Sequence, residues 1–416
     1  MLSLLRSLTL CLLANLTVQA SEDLLIDHYD RLNVDPALSL SQVVEATFKQ
    51  YPAGSMIAAM TDETKALQRR SNSLIAGYPM VYLQWIDDRA FNDRGEVEIQ
   101  TGYQIPVWMW NQRSASRNVA SEAEKSTAAF SVALKHEIAG LVREALWNLE
   151  LVQNRHELAK HVYEVSKKLY SAVKRRVELG DLARSDQLLA ESDLLEKRSL
   201  LTVAEAEVMH ARQAYFNLTR LDKAPQHFVE EQSKISEIAE QHPAVTAANA
   251  FIERAQAETE FTKLSKQGNQ PSIMVGTQHD RSSKAESMNN ETNLVLQVPI
   301  GGDAWNAPAV AQSQLTLTQK VIDRDTLLRQ LEKALHEAKH NLEVDRVTLQ
   351  IAEQRKTIAE THLKMSKLAF ETGEIQLIDY LKILTSAQAA IRDAQERSIN
   401  LQRDIASYNQ VVGMTP

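Results

Sequence analysis

The strongest constraint on this chain is a helix-breaking phrase written twice, 193 residues apart. The first copy runs Glu178-Leu179-Gly180-Asp181-Leu182-Ala183-Arg184-Ser185-Asp186-Gln187-Leu188. The second runs Glu371-Thr372-Gly373-Glu374-Ile375-Gln376-Leu377-Ile378-Asp379-Tyr380-Leu381. In both, Glu stands two residues before Gly, Asp six after it and Leu eight after it. A single glycine in a helical pattern is either a C-cap or a costly interior residue. The same spacing twice, each time between long helical patterns, describes a duplicated pair of long helical hairpins.

The duplication extends beyond the turns. Gln50-Tyr51-Pro52-Ala53 is echoed by Gln241-His242-Pro243-Ala244, Tyr78-Pro79 by Gln270-Pro271, and Gln104-Ile105-Pro106-Val107 by Gln297-Val298-Pro299-Ile300. Each half reads helix, strand, strand, long helix, glycine turn, long helix. The expected organisation is a signal peptide at 1–20, a first repeat at 21–225 and a second at 226–416, joined around 222–240 by a segment holding Pro225.

The helices carry heptads. Ile138, Val142, Ala145, Leu149 and Val152 alternate steps of four and three. Leu328, Leu331, Leu335, Ala338, Leu342, Leu349 and Ala352 keep one frame, with Asp345 intruding. Leu188, Leu195, Thr202, Met209 and Phe216 recur every seven residues, flanked by Leu194, Leu201, Val208 and Tyr215. Such a repeat means helix packed on helix. No proline interrupts 111–177 or 309–372. A helix of about 65 residues spans roughly 100 Å, too long for a compact bundle.

Four segments alternate with period two. Val97, Ile99, Thr101, Tyr103 and Ile105 oppose Glu96, Glu98, Gln100, Gly102 and Gln104. Val81, Leu83 and Trp85, then Ile273, Val275 and Thr277, then Leu294, Leu296, Val298 and Ile300 form the corresponding faces. Two readings fit: an antiparallel sheet with one face on a core, or barrel strands with apolar residues toward lipid and polar ones toward a lumen. Trp108, Trp110 and Trp305, just past the strand ends, suit a membrane interface. Four strands cannot close a spanning barrel, and an open edge in lipid is forbidden. Membrane-borne strands would therefore require several copies of the chain to share one barrel.

Residues 1–20 read as a secretory signal: Arg6, the apolar run Leu8 to Leu13, and the cleavage site Val18-Gln19-Ala20. The competing reading is an ordinary buried N-terminal helix. The one cysteine, Cys11, falls in that apolar run, so disulfides, thiolate metal sites and cysteine nucleophiles are not expected in the exported chain. Leu10 occupies the position where a lipidation box wants a small residue. The net charge of −8 is modest and dispersed, which argues against a nucleic-acid surface. No phosphate loop, nucleophile elbow or HExxH motif is present, so neither catalysis nor a cofactor is expected. His336 and His340 have metal-ligand spacing but no further ligands beside them, and read as solvated helix residues.

Taken with its two Gly-x5-Asp-x-Leu turns and its junctions Gln104-Ile105-Pro106-Val107-Trp108 and Gln297-Val298-Pro299-Ile300-Gly301-Gly302, the chain resembles the TolC family of outer membrane efflux proteins over its whole mature length. The wording of the halves is most similar to the CzcC/CusC-type heavy-metal branch. The resemblance implies a mainly α-helical chain with a β-barrel part. Each repeat would supply a long helical hairpin and a β-hairpin to a homotrimer, whose periplasmic α-barrel meets a shared twelve-stranded barrel in outer-membrane lipid. It also implies a periplasmic adaptor and an inner-membrane pump of the resistance-nodulation-division class as partners.

By the same resemblance, Leu179, Gly180, Asp181, Leu182, Thr372, Gly373, Glu374 and Ile375 are adaptor-docking tips, and Asp186, Asp379 and Lys382 a candidate periplasmic gate. Lys382 and Ile375 depart from the family pattern, which carries Asp and Arg there. The bland reading of Asp186 and Asp379 is helix N-capping after the glycine turn. The function expected is a passive exit duct for heavy-metal cations. Multidrug export, type I secretion and a secreted coiled-coil structural protein are the alternatives.

Overall fold

The computed structural model describes residues 32–266 and 269–416; the expected signal peptide and Cys11 lie outside the described residues. The chain runs β1 (Asn33–Asp35), α1 (Leu40–Gln50), α2 (Gly54–Asn72), β2 (Met80–Asp87), β3 (Val97–Pro106), α3 (Gln112–Glu178), α4 (Arg184–Thr219), β4 (Lys223–Pro225), α5 (Pro243–Ser265), β5 (Ser272–Arg281), β6 (Asn289–Gln297), α6 (Asp303–Glu371) and α7 (Leu377–Val411). The last strand stops at Gln297, so Val298 and Ile300 lie past the sheet. Helix α6 starts ahead of Pro308, earlier than the proline-free stretch suggested.

Helices α3 and α6 have 67 and 69 residues, each roughly 100 Å long. Near the glycine turns the packing order is α4–α3–α7–α6; toward the sheet it is α2–α3–α5–α6. Helices α2 and α5 thus carry on the lines of α4 and α7. The antiparallel sheet repeats the sequence with β2–β3–β5–β6. One layer, four elements wide, therefore runs the length of the molecule, and each strand leads directly into or out of its own helix.

Buried side chains follow from that order. Helix α3, in the middle, buries Ile138, Val142, Leu149 and Val152 as its heptad requires. Helix α6 buries Leu335, Leu342 and Ala352 toward α7. The heptad expected to pack α4 is displaced. Leu188 and Leu195 are each 59% exposed, and Ala190, Lys197, Ala204 and Ala211 take the buried stripe instead. Small residues let α4 lie close on α3, while the large ones point off the edge of the layer. The buried Lys197 sits between Asp193 and Glu196, and Ser166 of α3 donates to Asp193 at 2.6 Å. A polar layer of this kind fixes the register of two helices.

Around mid-height the segment 226–242 crosses three helices. Arg143 of α3, 4% exposed, forms a two-pronged ion pair with Glu230 (2.7 and 2.8 Å) and bonds Gln410 and the Met414 carbonyl of the chain's end. Tyr408 of α7 donates to the Ile235 carbonyl and Lys339 of α6 to that of Ser236. The same belt holds two buried histidine rings, His136 and His242, packed edge to face at 5.2 Å. His136 takes a hydrogen bond from Gln410 and His242 one from the Ala244 amide, each through Nδ1. Each ring then carries its proton on Nε2. Burial, the neighbouring His242 and Arg143 hold His136 down at about 4, and burial lowers His242 as well.

A histidine held below its ordinary 6.5 binds protons better unfolded than folded. Its contribution to stability is complete above that value and is lost as pH falls toward 4, by up to about 3 kcal/mol. His136→Asn keeps an acceptor for Gln410 but does not titrate. Thermal melting should therefore show the wild type losing more stability than the variant on acidification through this window.

Candidate functional site

Two places in this layer can do work: the sheet at one end and the glycine turns at the other. In the sheet, the registers align Val81 with Tyr103, Val275 and Leu294, and Leu83 with Thr101, Thr277 and Thr292. Trp85 and Ile99 form the next row outward, which ends in the polar His279 and Asn290, and Ile105, Ile273 and Leu296 form the row nearest the helices. This apolar face has no cover: Leu83 is 71% exposed and Leu294 75%. Its rows from Ile99 to Ile105 span about 20 Å. The face therefore does not pack on a core, which removes the first reading of the alternation.

The opposite face is polar. Gln84, Gln100, Gln278 and Glu291 stand in one row and Ile86, Glu98, Asp280 and Asn289 in the next. Its only charged groups are Glu98, Asp280 and Glu291; no strand position on this face is Lys or Arg. The Tyr82 ring lies across Gly102 and Gly276, reaching Asn293 with its hydroxyl. A Cβ on Gly102 would meet the ring carbon Cε1 at 2.6 Å, so glycine is what lets the ring lie flat. At the outer end, Lys284 pairs with Asp93 at 2.7 Å and ties the two strand-joining loops together. At the helix junction, Trp108 donates to the Ser73 carbonyl at 3.0 Å, whereas Trp110 and Trp305 are exposed.

Both glycine turns have one construction. Gly180 (φ +82°) and Gly373 (φ +79°) occupy the left-handed region. Gly180 N–H bonds the Val177 carbonyl and Asp181 N–H that of Arg176; Gly373 and Glu374 repeat this with Phe370 and Ala369. That is the Schellman stop of a helix, in which glycine avoids the steric cost of a Cβ. Leu179, Asp181, Thr372 and Glu374 are exposed, and Leu182 and Ile375 are half-buried against a core shared by both turns.

Asp186 and Asp379 do not cap their helices. The N-cap residues are Ala183 and Gln376, and neither end has a side-chain cap bond. Both aspartates sit three positions in, where a carboxylate is favoured by the helix dipole instead. Asp379 pairs with Lys382 at 3.4 Å on the same exposed helix face. The structure thus brings two of the three gate candidates together and leaves Asp186 on the other hairpin.

One contact between the hairpins leaves no mark in the repeat pattern. Arg176 lies 5.4 Å over the Phe370 ring and donates to the Phe370 carbonyl; Phe370 stacks on Tyr380 at 5.1 Å, nearly parallel. Val173, Ala190, Leu377, Leu381 and Leu384 complete this core. Burial, with the Glu371 charge behind it, pushes the Tyr380 phenol up. The counterparts of Arg176, Phe370 and Tyr380 in the opposite repeats are Ala369, Val177 and Gln187, so no repeated pattern marks them. His336 and His340 are exposed on α6, and among the described residues no group of three or more His, Cys, Asp or Glu could hold a metal. No described helix is long and apolar enough to cross a membrane.

No family model and no curated protein matches this sequence. Solved structures do match. The CmeC outer membrane channel of Campylobacter jejuni superposes with a TM-score of 0.71 at 15% identity, covering 90% of this chain and 85% of that one. VceC, an outer membrane protein of Vibrio cholerae, gives 0.70 at 14%, covering 90% and 96%. CusC gives 0.70 at 14%, covering 94% and 96%. The fold is that of these outer membrane channels. CusC matches no better than the other two, so the fold does not single out a branch.

Removing Arg176 leaves the Phe370–Tyr380 stack and the apolar core of the turns in place but takes away a cation–aromatic contact between the hairpins. Arg176→Ala should cost about 1 kcal/mol. Amide exchange should accelerate at both turns together while the sheet stays protected.

Proposed function

We propose that this chain is one protomer of a passive outer-membrane exit duct, without catalytic activity. The observation that carries this reading is that the layer has two free edges at every height, with an exposed apolar sheet at one end. In the proposed assembly three copies close edge to edge. Twelve strands form a barrel in outer-membrane lipid, apolar face outward, and twelve helix lines form a tube through the periplasm. Strand directions alternate across β2–β3–β5–β6, so β6 of one copy meets β2 of the next antiparallel. A heterologous contact repeated by rotation closes into a ring.

The helix edges support the same contact. Large apolar residues are exposed chiefly on α4 and α6, the two outer lines: Leu188, Leu195, Leu200 and Val203 on one, Val344, Ile351, Ile358 and Met365 on the other. The α6 set repeats every seven residues, the signature of a seam awaiting a helix. Leu195 lies 11 residues from the start of α4 and Ile358 13 from the end of α6, both roughly 17–20 Å from the turns. Leu195→Cys combined with Ile358→Cys should give disulfide-linked dimers and trimers on a non-reducing gel. Leu195→Cys with Leu315→Cys, far apart along the tube, should give none. A heat-modifiable trimer in outer-membrane extracts is expected; a soluble periplasmic monomer would refute the duct.

The turns are the tube's inner mouth, where Leu179 to Leu182 and Thr372 to Ile375 would meet the tips of a periplasmic adaptor that joins the duct to a resistance-nodulation-division pump. Asp186, Asp379 and Lys382 would line or flank its entrance, with Lys382 offsetting the charge of Asp379. For cargo we favour metal cations. The channel face of the sheet bears carboxylates and no cation, and rings of like charge select counter-ions. Multidrug export is the second reading, since the fold matches CmeC, VceC and CusC alike and singles out no cargo. Deletion followed by a panel of metal cations, dyes and antibiotics tests the choice. Lost metal tolerance is expected; lost drug tolerance with unchanged metal tolerance would reverse the assignment.

A further inference from the structure

The open edges of the sheet, β6 and β2, are repeat counterparts of the two strands that already pair in its middle, β3 and β5. Gln104 corresponds to Gln297, so β6 is β3 displaced by 193 residues; Pro79 corresponds to Pro271, so β5 is β2 displaced by 192. In the middle pair Gly102 stands opposite Gly276, Tyr103 opposite Val275 and Ile105 opposite Ile273. Carried through the repeat, that register sets Val295 opposite the partner's Gln84 in a neighbouring copy, and Leu296 opposite the partner's Leu83.

We propose that copies of this chain join in this register, with Leu294, Leu296 and Val298 facing the partner's Trp85, Leu83 and Val81. The inference rests on the duct reading and adds the residue pairs of its seam. Backbone bonding supports it independently, since amides alternate sides along a strand. The Asp88 amide bonds the Glu96 carbonyl across β2–β3, and the Val107 amide the Pro271 carbonyl across β3–β5. Alternation from these bonds leaves Val81, Leu83, Trp85 and Asp87 pointing their amides off the β2 edge, and Thr292, Leu294 and Leu296 off the β6 edge. The register brings the two sets together. A slip of one residue would mismatch them and turn apolar side chains into the channel. A slip of two would set Thr292 against the partner's Trp85, or Leu294 against the partner's Asp87. Strand length agrees as well: β3 runs on to Pro106, whose counterpart is Pro299, whereas the unpaired β6 stops at Gln297. In the seam, exposed Val298 and Pro299 would extend β6 as Ile105 and Pro106 extend β3.

The test uses the full chain in outer membranes, with Cys11→Ser removing its one native thiol. By the same alternation Gly102 and Gly276 are a non-hydrogen-bonded pair, whose Cα atoms lie about 4.5 Å apart, within disulfide reach. Their counterparts at the seam are Val295 and Gln84, which stand on opposite edges of one copy, so a bond between them can only join two copies. Val295→Cys with Gln84→Cys should oxidise to covalent trimers on a non-reducing gel. Asn293→Cys or Gln297→Cys with Gln84→Cys should stay unlinked. In the unsubstituted trimer the Leu296 and Val298 amides should exchange slowly; a Val298 amide exchanging as fast as an open loop would overturn the extension of β6. Linkage through Asn293→Cys or Gln297→Cys in place of Val295→Cys would overturn the register and leave the barrel standing. So would three unlinked strand pairs while Leu195→Cys with Ile358→Cys still links. Failure at both the strand and the helix seams would refute the duct itself.

Discussion

A β-sheet exposed to lipid cannot end. Backbone N–H and C=O groups on an open edge find no water in hydrocarbon, and each unsatisfied group costs several kcal/mol. The sheet here has an uncovered apolar face and two open edges, β2 and β6. Because each strand continues into its own helix, the helices inherit the same order and the same two edges. Whatever closes the sheet must close the helical layer as well. In the proposed assembly, the exposed apolar residues of α4 and α6 are the form this demand takes along the helices, away from lipid. A soluble coiled-coil protein with a capping sheet would have no reason to leave both sets bare on matching sides.

The glycine turns, the four strands and the long helices were legible in the sequence because each is encoded locally. Positive φ needs glycine, alternation needs period two, and a helix of 67 residues needs an uninterrupted pattern. Which stripe of a helix faces its neighbour was not legible for α4. Leucine at seven-residue spacing suits either a contact within the chain or one between copies, and only the packing order decides. The alanines at 190, 204 and 211 were the signal, since small residues mark the closer approach. The N-cap reading of Asp186 and Asp379 fails by three positions, because the turn takes Ala183 and Gln376 to begin each helix without a side-chain cap. The Arg176–Phe370–Tyr380 stack escaped altogether. It breaks the internal symmetry that guided the reading.

That asymmetry has mechanical meaning. Within one copy the two turns share a core, with Arg176 of the first hairpin laid over Phe370 of the second. Between copies the proposed contact is the leucine–isoleucine seam of α4 and α6. Movement at the inner mouth would therefore have to open either the core that the two turns share, with its cation–aromatic contact, or the proposed seam between copies. Parting the two turns of one copy would widen an entrance while the ring stays closed; parting the seam would break the ring itself.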